Sequence, residues 1–227
     1  KQLSSLFQKK VAQNGGELIA VESYQPATTD PSAEIKQLKN KDLSFYGKML
    51  PLEQETLEPS GQGETQEAQL VYNPGFDAIF LPGRPIDVAF LSAQLAFYDI
   101  KAPLIGSNAW NHPDLLKWGR STIEGGTFGD ILFLKNTDLE ARKFIHNYRE
   151  RFHVDPSIFS VQAYDAMHMI IDSIKNGTTT GKELRDQLFI RFDLPTLNGL
   201  SAFGEDGVLD RKGHIMQIQN GKFVKIN

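Results

Sequence analysis

The spacing of hydrophobic and polar residues predicts an alternation of helices with short buried strands over the first part of the chain. Apolar residues recur every three or four positions in some segments and run without interruption for four or five positions in others. Short apolar strands between amphipathic helices are typical of a parallel sheet covered on both faces, so we expect an α/β fold. The predicted elements are helix 1–14, strand 17–21, helix 32–38, strand 77–81, helix 85–98, strand 103–106, helix 112–118 and strand-like segments at 123–128 and 131–134.

The second part of the chain is predicted to contain successive helices followed by β structure, without the alternation of the first part. Helices are predicted over 137–152, over 157–175 and from Thr180 onward, and the first and third begin with capping-box patterns. Residues 197–227 are predicted to form β structure. The tail closes with a hairpin at Asn220-Gly221, because this dipeptide strongly favours a two-residue turn.

Residues 39–74 interrupt the alternation. They contain three prolines, and five glutamates lie between positions 53 and 67. A loop of this length is unusual inside a compact domain, so the segment is predicted to be an insertion or a mobile loop, either solvated or binding a partner. The domain prediction is an α/β lobe over 1–135, which includes this segment, followed by crossover helices and a C-terminal β tail over 136–227.

Composition narrows the possible functions. The 227 residues include no cysteine, so disulfides and thiolate metal sites are excluded. The net charge is −4, and no Lys/Arg cluster exceeds a dipeptide, which disfavours nucleic acid and anionic membranes as partners. No stretch approaches the ~20 apolar residues of a transmembrane segment. The sequence begins with Lys1 and has no signal-peptide core, so we interpret it as a processed or N-terminally truncated product.

The sequence offers little support for an enzyme. The five histidines include no pair four residues apart and no HExxH motif, so no metal site is predicted. Gly61-x-Gly63 follows no strand and is not a phosphate loop. We therefore predict no catalytic residue and no cofactor.

Ligand binding has better support, from the residues that follow two predicted strands. In parallel sheets, ligands bind beyond the carboxyl ends of the strands. Arg84 follows the strand at 77–81 and is able to pair with a carboxylate. Ser107 and Asn108 follow the next strand with hydrogen-bonding groups, and Trp110 offers an apolar wall. Each has an ordinary alternative: a surface arginine, a capping asparagine or a core tryptophan.

Several segments share the order found in one protein family. Together they resemble the type I periplasmic binding proteins, the group of the branched-chain amino-acid receptors, and most nearly the penicillin-binding-protein activator branch. Each motif is weak alone, and their common order carries the resemblance over nearly the whole chain except 39–74. The segments are Phe76-Asp77-Ala78-Ile79-Phe80-Leu81-Pro82-Gly83, Gln94 to Asp99, Leu104 to Asn111, Ile123 to Gly126, Gln162 to Ala166 and Gly199 to Gly207.

The resemblance implies two α/β lobes, joined by crossing strands, that hold a ligand in the interlobe cleft. This chain would then be an incomplete second lobe, a parallel-sheet sandwich that lacks the first lobe's opening sheet. Arg84 stands where the receptors have an aromatic cleft residue, and Asn108 where they have an acid for the ligand amine. Tyr164, in a first-lobe helix after the last crossover, joins the candidate site. These departures suit an anion, a polar uncharged ligand or no small ligand.

Three functions follow as hypotheses. The first is a non-enzymatic solute-binding receptor for a small polar ligand, an amino acid or organic anion, in the periplasm or attached to the cell envelope. The second is an envelope scaffold that binds a cell-wall synthase, as implied by the activator branch. The third is a flavodoxin-like regulator, which would need a phosphate loop that the sequence lacks. We also expect a first lobe or a second chain to cover the helices at 158–190.

Overall fold

The computed structural model describes residues 2–25, 27, 29–51, 70–132 and 138–226. The chain forms two compact units, one of residues 1–128 with 217–224 and the other of 129–216 with 225–227. The helices of the first unit are α1 (Gln2–Gln13), α2 (Ser32–Phe45), α3 (Pro85–Phe97) and α4 (Pro113–Gly119), and its strands are β1 (Lys48–Pro51), β2 (Leu70–Asn73), β3 (Ile79–Phe80) and β4 (Leu104–Gly106).

The second unit contains the longer helices. They are α5 (Leu139–Phe152), α6 (Ile158–Lys175) and α7 (Gly181–Ile190), followed by strands β6 (Leu194–Thr196), β7 (Gly199–Phe203) and β8 (Leu209–Asp210). Strands β5 (Thr127–Asp130), β9 (His214–Gln219) and β10 (Lys222–Lys225) have residues in both units.

The central sheet confirms the α/β prediction. Its strand order is β10-β9-β5-β4-β3, and the three strands at one side are parallel. Phe80 lies opposite Ile105, and Gly106 lies opposite Phe128. Helix α3 contributes a buried apolar stripe that includes Val88, Leu91 and Leu95. Parallel strands therefore end together at one edge of the first unit.

The prediction of a strand at 17–21 is wrong. Residues 16–25 have no regular secondary structure, although helix α1 before them forms as expected. Phe7 of α1 stacks on Phe80 of β3 with ring centroids 4.0 Å apart.

The prediction of a loop over 39–74 is wrong at both of its ends. Helix α2 continues to Phe45, and β1 pairs with β2 in an antiparallel ribbon. Asp42, which is buried, accepts hydrogen bonds from the Tyr72 hydroxyl at 2.6 Å and the Gly75 backbone N–H at 2.9 Å. This carboxylate fixes the ribbon to α2, which the local sequence pattern does not indicate. Residues 52–69 lie outside the described residues.

The boundaries of other elements differ from the predicted ones by a few residues. A 3₁₀ turn at Arg120–Ile123 precedes β5, so the strand begins later than the predicted 123. Helix α5 begins at Leu139, and residue 137 lies outside the described residues. Of the strand-like 131–134, residues 131 and 132 are not in a strand and the other two lie outside the described residues.

The hairpin prediction is confirmed. Asn220 and Gly221 connect β9 to β10 with φ angles of 52° and 66°. Two consecutive positive φ angles define the turn that Asn-Gly favours.

The second unit has its own small core. Its buried members come from α5, α6, the segment before α5 and the β6–β7 turn: Leu132, Phe144, Ile145, Val161 and Leu197. Asp165 of α6 fixes this turn by accepting a hydrogen bond from the Leu197 backbone N–H at 2.9 Å. Its other oxygen pairs with Arg211 at 2.8 Å. Burial raises the pKa of Asp165, and the two partners oppose that effect.

Candidate functional site

The loops that follow β3 and β4 lie side by side at the carboxyl edge of the first unit's sheet. Leu81 extends β3 by donating its backbone N–H to the Ile105 carbonyl at 2.8 Å. The Leu81 carbonyl in turn accepts a hydrogen bond from Nε1 of Trp110 at 3.0 Å. The chain then enters α3 through Arg84, its N-cap residue. Four of the five predicted site residues thus belong to two neighbouring loops.

Trp110 joins these loops from inside the protein. It is fully buried, with 0% of its surface exposed, and its ring lies 6.2 Å from that of Phe128. A methyl group at Gly106 would overlap the indole ring, so the glycine makes room for it. Of the two alternatives for Trp110, the structure shows the core residue. The indole ring holds the two loops together from the protein interior and is not accessible from solvent.

Arg84 is exposed and held in place by Asp87. Its Nε donates to Oδ2 of Asp87 at 2.7 Å, and its Nη2 donates to Oδ1 at 3.0 Å. The side chain of Arg84 is 61% exposed, whereas that of Asp87 is 11% exposed. The hydrogen bond between them raises the pKa of Arg84 and lowers the pKa of Asp87. The guanidinium therefore points in a fixed direction, and its remaining N–H groups face outward.

Ser107 and Asn108 form the turn after β4. Ser107 is the N-cap of the 3₁₀ turn at Asn108–Trp110, and its carbonyl accepts the Trp110 N–H at 2.9 Å. Asn108 is exposed, and its carbonyl accepts the Asn111 N–H at 3.1 Å. The side-chain amide of this exposed residue has both donor and acceptor groups.

Tyr24 is a member of this edge that the sequence pattern did not identify. It is half-buried, and its hydroxyl donates to the Pro82 carbonyl at 3.3 Å. Burial and, secondarily, the charge of Asp87 raise the pKa of Tyr24. Tyr24 follows the segment wrongly predicted as a strand, and only the tertiary structure brings it beside Arg84 and Asp87.

Tyr164 belongs to the second unit. Its ring packs between Phe144, at a centroid distance of 4.6 Å, and His168, at 4.5 Å. Burial raises the pKa of the Tyr164 hydroxyl. Within its own unit, Tyr164 is therefore part of the aromatic packing of α5 on α6, with its ring half-buried.

The described ranges contain neither a membrane-spanning helix nor a cluster of metal-binding side chains. No helix there has both the length and the apolar character to cross a membrane. No three His, Asp or Glu side chains in the same part of the chain come close enough together to hold a metal ion.

Comparison with known proteins identifies the family. A family model described as periplasmic binding protein matches residues 1–222. The chain belongs to the periplasmic binding protein family. Members of this family are periplasmic or extracellular substrate-binding receptors. The chain matches no curated protein significantly.

Solved structures of this family share the fold at low sequence identity. A leucine-binding protein of Thermotoga maritima has a TM-score of 0.70 at 18% identity, over 99% of this chain and 55% of its own. A putative branched-chain amino acid ABC transporter protein of Rhodospirillum rubrum has a TM-score of 0.76 at 19% identity, over 98% and 56%. The Streptococcus pneumoniae protein LivJ, solved with isoleucine, has a TM-score of 0.61 at 20% identity, over 96% and 56%. The chain thus spans about 55% of the length of such periplasmic binding proteins, an incomplete version of their fold.

Proposed function

We propose that this chain is the ligand-binding part of a non-enzymatic solute receptor that holds a small polar ligand at the carboxyl edge of β3 and β4. Family membership supports the receptor class. The observation that carries the proposal is the Trp110–Leu81 hydrogen bond, which fixes two strand-end loops next to each other. Ligands of parallel α/β sheets bind at this kind of edge.

The side chains at the edge favour a polar ligand. Arg84 offers oriented N–H groups, and Ser107 and Asn108 offer uncharged donors and acceptors. An amino acid or an organic anion has groups that match them. The leucine and isoleucine named for the neighbouring structures are ligands of those proteins.

The remainder of the receptor belongs to this proposal as well. We infer a division into a lobe over 1–135 and crossover helices with a β tail over 136–227, and a location in the periplasm or at the cell envelope. Large apolar side chains of α6 and α7 are exposed, among them Phe159, Met167 and Ile190. A first lobe or a second chain would cover them.

Thermal unfolding with added ligands tests the proposal. Amino acids, short peptides and organic anions are screened, and a ligand at 100 times its Kd stabilises the folded state by about 2.7 kcal/mol. Arg84→Gln is expected to abolish the shift in Tm. Arg185→Gln, which removes the same charge from exposed α7, is expected to keep it. A screen with no stabilising compound would contradict the proposal.

One observation favours the second candidate, an envelope scaffold. The β1–β2 ribbon exposes the apolar side chains of Met49, Leu50 and Leu70. Exposed apolar patches of this kind are used in protein–protein contacts. Capture of a cell-wall synthase from envelope extract by the wild-type chain, lost in Met49→Glu, would support a scaffold. The flavodoxin-like alternative has no comparable observation among the described residues.

A further inference from the structure

The positive charge at the carboxyl edge of β3 is already neutralised by the chain itself. Asp87 accepts two hydrogen bonds from Arg84, at 2.7 and 3.0 Å, in the fork geometry typical of guanidinium and carboxylate. One edge of the guanidinium is therefore used within the protein. The N–H groups of Nη1 and the second N–H of Nη2 remain for a ligand.

An incoming anion would not easily displace Asp87. The Asp87 side chain is only 11% exposed, and its carboxylate also accepts a hydrogen bond from the backbone N–H of Ala27. It lies in the first turn of α3, where the positive end of the helix dipole favours a carboxylate. Removing Arg84 from it would leave a nearly buried charge with fewer partners, which is costly.

The other groups of this edge add no net charge. Ser107 and Asn108 are uncharged, and the Tyr24 hydroxyl is neutral at physiological pH, as a tyrosine ordinarily is. A ligand thus meets directed hydrogen-bond donors without a net positive field. A second negative charge on the ligand gains little attraction here, since the charges of Arg84 and Asp87 largely cancel beyond a few ångströms.

We propose that Asp87 is the residue that sets the charge selectivity of this edge. Because Asp87 neutralises Arg84, the edge binds a ligand group that is neutral, zwitterionic or singly charged. A dianion gains no additional affinity from its second charge. Asp87 is a positioning residue, because it acts through Arg84. The inference rests on the proposed function, in which this edge binds the ligand.

Arginine side-chain NMR of the full chain tests this directly. The Arg84 Nε–H signal is assigned with Arg84→Lys, and the chain is titrated with alanine, propionate and succinate at neutral pH. In the wild type we expect the Kd values of propionate and succinate to agree within about threefold. In Asp87→Asn, which keeps the size of the side chain, succinate is expected to bind at least about tenfold more tightly than in the wild type, with little change for alanine.

Asp99→Asn is the matched control. It removes the same charge at the opposite end of α3, where Asp99 has φ 58° and asparagine tolerates that conformation. It is expected to bind all three probes as the wild type does. If Asp87→Asn fails to fold, Asp87→Ser provides the same comparison with a polar residue that suits the first turn of a helix.

The outcomes separate this inference from the proposed function. If propionate shifts the Arg84 signal but Asp87→Asn leaves the succinate-to-propionate ratio unchanged, the role of Asp87 is refuted and the ligand site stands. An Asp99→Asn variant that behaves like Asp87→Asn would also refute it, since the effect would then be one of overall charge. If no probe shifts Arg84 in the wild type or in Asp87→Asn, the ligand site itself is refuted, and the inference with it.

Discussion

At the scale of single residues, Trp110 shows what the sequence can and cannot predict. Its position after a strand suggested either a ligand contact or a core residue. The choice depends on Gly106, which leaves room for the indole ring, and on the Leu81 carbonyl, which accepts its N–H. Both contacts join residues that are distant in sequence or become neighbours only when the turn forms. The sequence therefore predicted the location of Trp110 and not its role.

Gly106→Ala is expected to destabilise the first unit. The added methyl group would overlap the Trp110 ring, and overpacking of this kind costs about 1–3 kcal/mol. Urea unfolding followed by tryptophan fluorescence measures it, because Trp110 and Trp118 both belong to this unit. Gly129→Ala in β5 is the control, since a methyl group there meets no atom within 4 Å. Equal losses in the two variants would contradict the assigned role of Gly106.

His214 is expected to make the second unit sensitive to mild acid. Burial and, secondarily, the Lys225 charge lower its pKa below 6.5, so the folded state binds this proton less readily than the unfolded state. Stability is therefore lost as pH falls from about 6.5 through the folded pKa, by at most about 1.4 kcal/mol per pH unit.

Thermal unfolding by circular dichroism between pH 7 and 5 measures this dependence. His214→Asn is expected to flatten it. His153→Asn is the control, because His153 is exposed and its φ of 56° suits asparagine. A slope that is the same in His214→Asn and in the wild type would exclude His214 as its source.

At the scale of elements, the sequence pattern predicted contacts between residues that are close in the chain. It did not indicate contacts between residues that are far apart in the chain. The predicted capping box of α7 is confirmed, because Thr180 accepts from the Glu183 N–H at 3.2 Å and Glu183 accepts from the Thr180 N–H at 3.1 Å. These bonds join residues three positions apart. The attachment of α2 to β2 depends on Asp42, whose partner Tyr72 is thirty positions away. No local pattern marks such a contact.

Tyr72→Phe is expected to loosen the β1–β2 ribbon without unfolding the first unit. Tyr72 is the buried residue of this ribbon, and its hydroxyl bond to Asp42 at 2.6 Å is lost. A buried hydrogen bond contributes about 1 kcal/mol, so amide exchange at residues 48–50 and 70–73 is expected to accelerate about fivefold. Tyr98→Phe is the control. If exchange in β4 accelerates equally, the bond serves the whole unit and not the ribbon.

At the scale of the whole molecule, the exposed apolar surface of the second unit is the main anomaly. Phe159 is 76% exposed and Phe192 is 82% exposed, on and just after the helices that were expected to need a cover. The resemblance to a family of longer proteins predicted this exposure, and hydrophobic periodicity did not. Periodicity shows that a helix has an apolar face, but not which part of the protein covers that face.

The isolated chain is expected to self-associate through these helices. The double variant Phe159→Glu/Phe192→Glu should raise the dissociation constant at least about tenfold, because each buried phenylalanine contributes about 1.5–3 kcal/mol. Sedimentation velocity over a concentration series measures it. Phe97→Glu, at an equally exposed position on α3, is the control and should associate as the wild type does. A wild-type chain that stays monomeric throughout would contradict this expectation.

The order of the strands along the chain has a consequence for biosynthesis. Strand β5 is followed by residues 131–213, all of the second unit, before β9 pairs with it in the central sheet. Closing a loop of that length costs on the order of 4 kcal/mol in chain entropy if the loop is unstructured. The second unit is continuous in this stretch and can fold while β9 is still being synthesised. On the ribosome, one edge of β5 thus lacks its strand partner until the second unit has emerged. Early folding of that unit would bring β9 closer to β5.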